Sequence, residues 1–217
     1  MTWGAPHRIL AIVRYRAATD LDAVLDAARA GGVELLEVTA DTPGALAAVD
    51  RQAARGRPIG LGTVLLPAQV EEASRAGAAF VVSPGVIPEV LAAAREHGLP
   101  TLAGALTPTE ILVAVRLGSA AVKLFPAALG GPAYLRTLRA PLPEIAFVPT
   151  GGIGPDDVAA YLEAGAACVG LGSSLVGSSP PLSDGDLAAI ERRAEAAVRL
   201  AAPAAATSQG VTTDDGA

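Results

Sequence analysis

Strand-like and helix-like segments alternate along almost the whole chain, and this alternation limits most strongly what the chain can fold into. Each of eight short apolar runs is followed by a segment with apolar residues at helical spacing. The predicted strands are 9–14, 33–39, 58–64, 79–82, 100–103, 120–125, 145–148 and 166–170. Eight such units of roughly 25 residues predict an α/β fold, a single closed (β/α)₈ TIM barrel. An open doubly wound sheet is the alternative, but no G-x-G-x-x-G motif follows an early strand.

The predicted helices and the unpatterned residues after the last of them define one domain and a tail. Proline leads the predicted helices 67–77 and 88–97 at their first turn, a position that proline favours. The last helix is predicted over 183–200. We therefore assign residues 1–202 to one barrel domain. Residues 203–217 are small, polar and unpatterned, which predicts a disordered C-terminal tail.

Charge and cysteine content exclude several classes of function. The net charge of −6 argues against a nucleic-acid or anionic-membrane partner. No stretch approaches the ~20 apolar residues of a membrane span, so we expect a cytoplasmic protein. A single cysteine, Cys168, lies in an apolar run, which predicts a packed thiol. With only two separated histidines, His7 and His97, the sequence predicts no metal site and no cofactor.

Lys123 is the only lysine in the chain and lies near the end of the sixth predicted strand. Lysine is almost never buried without a partner, yet this one is flanked by apolar residues. Arginine stays protonated, whereas a desolvated lysine amine can form a Schiff base with a carbonyl. We therefore predict that Lys123 is a catalytic nucleophile. The alternative is a chance lysine with a packed stem and a head that reaches solvent.

Glu37 is the second candidate catalytic residue. If Leu36 and Val38 face the helices, the alternation along a strand turns Glu37 and Thr39 into the barrel. A carboxylate there is costly unless it is paired or functional. Its expected partner is the amine or imine of Lys123, and a proton shuttle beside an amine nucleophile is chemically reasonable. A structural ion pair is the alternative.

Two glycine-rich segments, 150–154 and 170–174, follow the seventh and eighth predicted strands. Glycine lets backbone N–H groups approach an anion closely. A phosphate site built by the loops after strands seven and eight recurs in barrels of this type. The pair of loops predicts a phosphate-binding site.

Five segments, in order and with matching spacing, resemble the 2-keto-3-deoxy-6-phosphogluconate (KDPG) / 4-hydroxy-2-oxoglutarate aldolase family. They are 32–39, 60–65, 82–85, 123–127 and 149–153. The resemblance implies a homotrimeric class I aldolase without a cofactor, acting on a small keto acid. The implied substrate is a 2-keto-3-deoxy-6-phospho sugar acid, of the phosphogluconate or phosphogalactonate type, or 4-hydroxy-2-oxoglutarate. The implied products are pyruvate and an aldehyde such as glyceraldehyde 3-phosphate.

The resemblance also implies roles for particular residues. Lys123 would form the Schiff base with the keto carbon, and Glu37 would shuttle protons. Thr63 and Pro84 would line the pyruvate half of the site. The other predicted substrate contacts are the phosphate-binding Gly151, Gly152 and Ser173, together with Gly172 and Phe125.

Asp41 departs from the family pattern. Two residues after the Thr of Glu-Val-Thr, the phosphogluconate branch carries an arginine that grips the substrate carboxylate, but this chain has Asp41. The first predicted strand ends with Arg14, and this is similar to the phosphogalactonate branch. We therefore assign the carboxylate contact to Arg14, as a charge-assisted pair. A surface arginine at a strand end is the alternative.

Two other functions remain open at the level of sequence. One is a phosphate-binding barrel isomerase or epimerase in which Lys123 acts only through its charge. The other is a non-catalytic sugar-phosphate-binding barrel that has kept the glycine loops. The isomerase or epimerase predicts no covalent adduct with pyruvate. The binding barrel, which Asp41 favours, predicts sugar-phosphate binding without cleavage.

Overall fold

Eight parallel strands alternate with helices in the computed structural model, which describes residues 3–4 and 6–202. The strands are Ile9–Val13 (β1), Leu35–Thr39 (β2), Gly60–Gly62 (β3), Phe80–Ser83 (β4), Thr101–Ala105 (β5), Ala121–Leu124 (β6), Phe147–Pro149 (β7) and Val169–Leu171 (β8). The helices are Leu21–Ala30 (α1), Ala45–Ala54 (α2), Pro67–Arg75 (α3), Pro88–Glu96 (α4), Pro108–Arg116 (α5), Gly131–Arg139 (α6), Val158–Glu163 (α7), Ser173–Val176 (α8) and Asp184–Ala201 (α9).

Strand pairing runs in the order β7-β6-β5-β4-β3-β2-β1-β8, so the first strand pairs with the last. Between β7 and β8 the barrel is closed by a parallel bridge that joins Thr150 to Gly170. Near the same seam, the N–H of Ala167 donates to the carbonyl of Phe147 at 2.9 Å. The predicted (β/α)₈ barrel is confirmed. The predicted tail, 203–217, lies outside the described residues.

Several element bounds differ from the prediction. The strands predicted over 58–64 and 166–170 are shorter in the structure, where they are Gly60–Gly62 and Val169–Leu171. The four-residue helix α8 was not predicted. The predicted helix 155–164 begins as a 3₁₀ turn, Pro155–Asp157, before α7.

Alternate side chains along each strand belong to two separate apolar layers, as the period of a strand requires. In β2, Leu36 and Val38 pack between the barrel and its helices, whereas Leu35 packs inside the barrel. The register predicted for β2 is thereby confirmed. The interior cluster consists of Leu10, Ile12, Leu35, Phe80, Val82, Leu102, Ala121, Val148 and Cys168.

The lower part of the barrel, at the amino ends of the strands, is filled by apolar groups. The Trp3 ring meets the edge of Phe80 at a centroid distance of 5.2 Å and an angle of 81°. Cys168 is fully buried in this cluster, and burial raises the pKa of its thiol to about 12. The predicted packed thiol is confirmed, and the polar residues of the interior are left to the carboxyl ends of the strands.

Candidate active site

A cleft of about 1180 Å³ opens at the carboxyl ends of the strands. Its walls come from the segments that follow β1, β3, β4, β6, β7 and β8. Nine of the ten predicted site residues line this cleft. They are Arg14, Thr63, Pro84, Lys123, Phe125, Gly151, Gly152, Gly172 and Ser173. Glu37 is the tenth, and it lies beneath the cleft surface with no exposed area.

Lys123 reaches the cleft from the end of β6, where it pairs in register with Gly104 of β5 and Val148 of β7. Lys123 is only 7% exposed, and it is one of the residues that line the cleft. The Lys123 Nζ lies 5.3 Å from the centroid of the Phe125 ring, within the range of a cation–π contact. Burial beside an open cleft is a setting in which a lysine amine can be desolvated and still reached by a ligand.

The segment after β4 passes close to β5 beside Lys123. A Cβ atom at Gly104 would lie 2.1 Å from the Pro84 carbonyl oxygen, so any side chain there would push this segment away. The hydroxyl of Ser83 donates to the Gly85 carbonyl at 2.7 Å and tightens the turn that carries Pro84. Glycine in β5 thus lets Pro84 form a wall of the cleft next to the amine.

Glu37 is held in the middle of the β1–β2–β3 ladder, opposite Ile12 and Gly60. Its carboxylate rests on Gly62, where a Cβ atom would lie 1.7 Å from Oε1. Neither carboxylate oxygen accepts a hydrogen bond from any residue that the structure describes. The expected direct pair with Lys123 is therefore not formed.

The protonation of Glu37 is set by opposing effects. Burial raises the pKa of the Glu37 carboxyl, and the positive charges of Lys123 and Arg14 act in the opposite direction but do not cancel the rise. A carboxyl with a raised pKa holds a proton more readily than an ordinary carboxyl, and its ionised form is a stronger base. Lys123 thus influences Glu37 through its charge rather than through a hydrogen bond.

Arg14 is contacted from two neighbouring strand ends. Its Nη2 donates to the hydroxyl of Thr63, and its Nε lies 3.6 Å from Oδ1 of Asp41. Thr63 has a positive φ of 55°, which is a strained conformation for a β-branched residue. The strained turn directs the Thr63 hydroxyl to Arg14, and both residues line the cleft.

The glycine-rich segment after β7 has two residues in the left-handed region. Gly151 has a φ of 92° and Gly152 a φ of 73°. A Cβ atom at Gly151 would lie 2.7 Å from the Phe125 ring, and one at Gly152 would lie 2.7 Å from Cβ of Ala128. Both the backbone conformation and the close packing require glycine, so the loop presents main chain rather than side chains to the cleft.

Sequence reasoning missed other parts of the cleft wall. Arg16 and the loop residues 178–180 also line it. Arg14 and Arg16 are two residues apart, a spacing that would put both side chains on one face of a strand. However, β1 ends at Val13, so strand alternation does not extend to Arg16. The loop after α8 carries no motif, so its approach to the cleft depends on tertiary packing.

In the described ranges, 3–4 and 6–202, no group of three or more His, Cys, Asp or Glu side chains could hold a metal ion. None of the helices in that same part of the chain has both the length and the apolar character needed to cross a membrane. His7 pairs with Glu34, with Nδ1 and Oε2 separated by 2.6 Å, away from the cleft.

The sequence profile of the family described as "Aldolase: KDPG and KHG aldolase" matches residues 5–193. The chain belongs to this aldolase family. The family predicted from the five segments is thus confirmed, and the match covers all eight strands of the barrel.

Similar proteins come from both branches of the KDPG and KHG aldolase family. The 2-dehydro-3-deoxy-phosphogluconate aldolase of Pseudomonas aeruginosa is 41% identical over 168 residues, 75% of this chain and 76% of the relative. The 2-dehydro-3-deoxy-6-phosphogalactonate aldolase of Escherichia coli K12 is 35% identical over 184 residues, 81% of this chain and 87% of the relative.

A solved structure of the same family adds chemical information. It is the crystal structure of KDPG aldolase from Legionella pneumophila, with pyruvate captured at low pH as a covalent carbinolamine intermediate. This protein is 32% identical, the match covers 90% of this chain and 95% of the other, and the TM-score is 0.76.

Proposed function

We propose that this chain is a class I aldolase that cleaves a 2-keto-3-deoxy-6-phospho sugar acid or 4-hydroxy-2-oxoglutarate to pyruvate and an aldehyde. One observation carries the proposal: the only lysine of the chain opens onto the cleft above a buried carboxyl whose pKa is raised. The family assignment and the pyruvate carbinolamine of the Legionella pneumophila relative support the same chemistry.

The reaction begins at Lys123. Its unprotonated amine attacks the C2 ketone of the substrate, and the carbinolamine loses water to give an iminium ion. Arg14 binds the C1 carboxylate through charge-assisted hydrogen bonds and orients the ketone toward the amine. Thr63, Pro84 and Phe125 surround the pyruvate half of the substrate in this arrangement.

Glu37 moves the proton in the second step. Its carboxylate takes the proton of the C4 hydroxyl, directly or through a water molecule, and the C3–C4 bond breaks. The electrons of that bond pass into the iminium and form an enamine, while the aldehyde leaves. The enamine is then protonated at C3, and water hydrolyses the imine to release pyruvate and the free amine of Lys123.

The far end of the cleft suits the phosphate of the substrate. Main-chain N–H groups of Gly151 and Gly152, together with Gly172 and Ser173, provide donors without side-chain bulk. The aldehyde product is glyceraldehyde 3-phosphate when the substrate carries this phosphate.

Reductive trapping tests the proposal. The protein is incubated with pyruvate and borohydride, and the modified peptide is located by mass spectrometry. We expect one reduced pyruvyl adduct on the peptide that contains Lys123, which the mapping separates from the amino-terminal amine. The matched control is Lys123→Arg, which keeps the positive charge but has no nucleophilic amine.

The result separates the aldolase from the two other functions. A folded wild-type protein that forms no adduct would contradict the aldolase and favour the isomerase or the binding barrel. Cleavage of the keto acids by the Lys123→Arg variant would likewise contradict the Schiff-base mechanism, even if an adduct formed in the wild type.

We further propose the homotrimer that the family resemblance implies. A single chain leaves large apolar side chains exposed, among them Leu65, Leu66, Leu112 and Leu129, and an interface between copies would cover surface of this kind. Light scattering coupled to size-exclusion chromatography should give three times the mass of the chain, and a monomer mass would contradict the trimer. The cytoplasmic location stays a prediction that cell fractionation checks.

A further inference from the structure

Asp41 occupies the position at which the chain departs from the family pattern, and it lies beside the arginine assigned to the substrate carboxylate. The Arg14 Nε and the Asp41 Oδ1 are 3.6 Å apart, and each side chain is 54% exposed. The residues follow β1 and β2, which are paired neighbours in the barrel. Asp41, at the position of the family arginine, therefore lies next to Arg14 at one edge of the barrel mouth.

The contacts of Arg14 leave part of its guanidinium open. A guanidinium carries five N–H donors in a planar fork. Asp41 lies against Nε, and the Thr63 hydroxyl accepts from Nη2. In the part of the chain that the structure describes, Nη1 of Arg14 makes no hydrogen bond. The Nη1 and Nη2 edge remains available to receive a carboxylate in a bidentate pair.

Asp41 is held in place by the turn in which it lies. The hydroxyls of Thr39 and Thr42, on either side of it, are 3.0 Å apart and both residues are buried. The N–H of Tyr15 donates to the Thr42 hydroxyl at 3.2 Å and ties this turn to the segment that carries Arg14. The relative position of Asp41 and Arg14 is thus set by buried hydrogen bonds rather than by the exposed ion pair alone.

We propose that Asp41 is a positioning residue for keto-acid binding, which acts through Arg14 by holding the open edge of its guanidinium toward the C1 carboxylate. The inference rests on the proposed aldolase function. In this chain an Asp–Arg pair replaces the single arginine that the family resemblance implies at residue 41.

The opposite effect, in which Asp41 competes with the substrate for Arg14, is the weaker one. An ion pair between two half-exposed groups is worth little, so Asp41 removes little of the attraction that Arg14 exerts on an anion. An arginine side chain has many rotamers, and restricting them before the substrate arrives lowers the cost of binding. Loss of Asp41 is therefore expected to weaken keto-acid binding.

The test measures half-saturating pyruvate for borohydride trapping, together with KM and kcat for cleavage. We expect Asp41→Ala to raise the half-saturating pyruvate concentration roughly threefold, the size typical of an exposed ion pair, while kcat at saturation is kept. Asp41→Asn keeps the shape and one acceptor oxygen and should recover part of the loss. Asp26→Ala is the matched control, since it removes an exposed aspartate of α1 that pairs with Arg57 in the loop before β3, away from the cleft.

A double-variant cycle shows whether Asp41 acts through Arg14. In an Arg14→Ala background, Asp41→Ala should change pyruvate binding no further, because the residue it positions is gone. Thermal unfolding midpoints of all variants separate this effect from a general loss of stability.

Three results would overturn the inference. These are tighter pyruvate binding in both Asp41 variants, an unchanged half-saturating concentration in Asp41→Ala, or a full additional effect in the Arg14→Ala background. Absence of any adduct in the wild type would instead refute the aldolase itself, and the positioning role with it. An adduct in the wild type with no effect of Asp41 refutes only the positioning role.

Discussion

Glu37 carries an ionisable group where the barrel provides it with no hydrogen-bond partner among the described residues. Such a group opposes folding, because its charged form loses hydration without replacement. Burial raises the pKa of its carboxyl, while Lys123 and Arg14 limit that rise. A loss of stability at this position is consistent with the proton transfer proposed for Glu37.

Replacing Glu37 with Gln should separate adduct formation from cleavage. Without a carboxylate to take the C4 proton, kcat for cleavage is expected to fall on the order of 10²- to 10⁴-fold, the usual contribution of a general base. Trapping of pyruvate on Lys123 should persist, because the nucleophile is intact. Cleavage at the wild-type rate would contradict the assigned role of Glu37.

The same substitution has an expected pH signature in stability. A carboxyl whose pKa is higher when folded than its ordinary value of 4.5 binds protons more tightly in the folded state, so its contribution to stability is lost as pH rises. The free energy of unfolding of Glu37→Gln, relative to wild type, should therefore increase from about pH 4.5 upward and level off below it. Urea unfolding across this range measures the difference, and a constant or falling difference would contradict the raised pKa.

The strand β3 leaves room inside the barrel for side chains of the neighbouring strands β2 and β4. Its two glycines place no side chain in the narrow interior of the barrel. A Cβ atom at Gly60 would lie 2.2 Å from the Phe80 ring, and one at Gly62 would lie 1.7 Å from the Glu37 carboxylate. The strand thus admits the Phe80 ring on one level and the buried Glu37 carboxyl on the next.

Gly62→Ala should displace the Glu37 carboxylate. We expect a marked loss of kcat with the Lys123 adduct retained, and a destabilisation of about 1–3 kcal/mol from overpacking. The control is Gly185→Ala in α9, where the nearest atom to the added Cβ is the Ser183 hydroxyl at 3.5 Å. Steady-state kinetics and urea unfolding check both variants, and full activity in Gly62→Ala would show that the carboxylate position is not critical.

In the molecule as a whole, the two ends of the barrel differ: apolar packing closes one end and the cleft opens at the other. Trp3 and Phe80 pack against each other at the amino end, and Arg14 and Lys123 line the cleft at the carboxyl end. Separation of a stabilising end from a functional end is general in barrels of this type. Substitutions at the amino end are thus expected to change stability without changing catalysis.

Trp3→Ala tests this separation. Removal of a partly buried indole should lower the free energy of unfolding by about 1–3 kcal/mol, less than for a fully buried ring, while kcat stays at the wild-type value. Trp3→Phe keeps a ring against Phe80 and removes an indole N–H that has no partner among the described residues, so it should lose less. Circular dichroism in urea measures both, and a fall in kcat with unchanged stability would contradict the separation.

Much of the fold and of the site was predictable from residue types and spacing. The alternation of patterns predicted the barrel, because a strand and a helix place apolar residues at different periods. Lys123 was identified by its chemistry in an apolar strand, and Glu37 by its place in the alternation of β2. Their positions were predictable because the carboxyl ends of barrel strands meet at one face.

Other features were decided by tertiary structure alone. The absence of a direct Glu37–Lys123 pair and the contact of Arg14 with Asp41 depend on distances between strands that are far apart in sequence. The inclusion of Arg16 and residues 178–180 in the cleft depends on loops that carry no periodic pattern. The sequence alone determined which chemistry each strand brings to the cleft. Packing of strands and loops decided how far apart the groups stand and which of them touch, since these distances are set by contacts between residues that no local pattern relates.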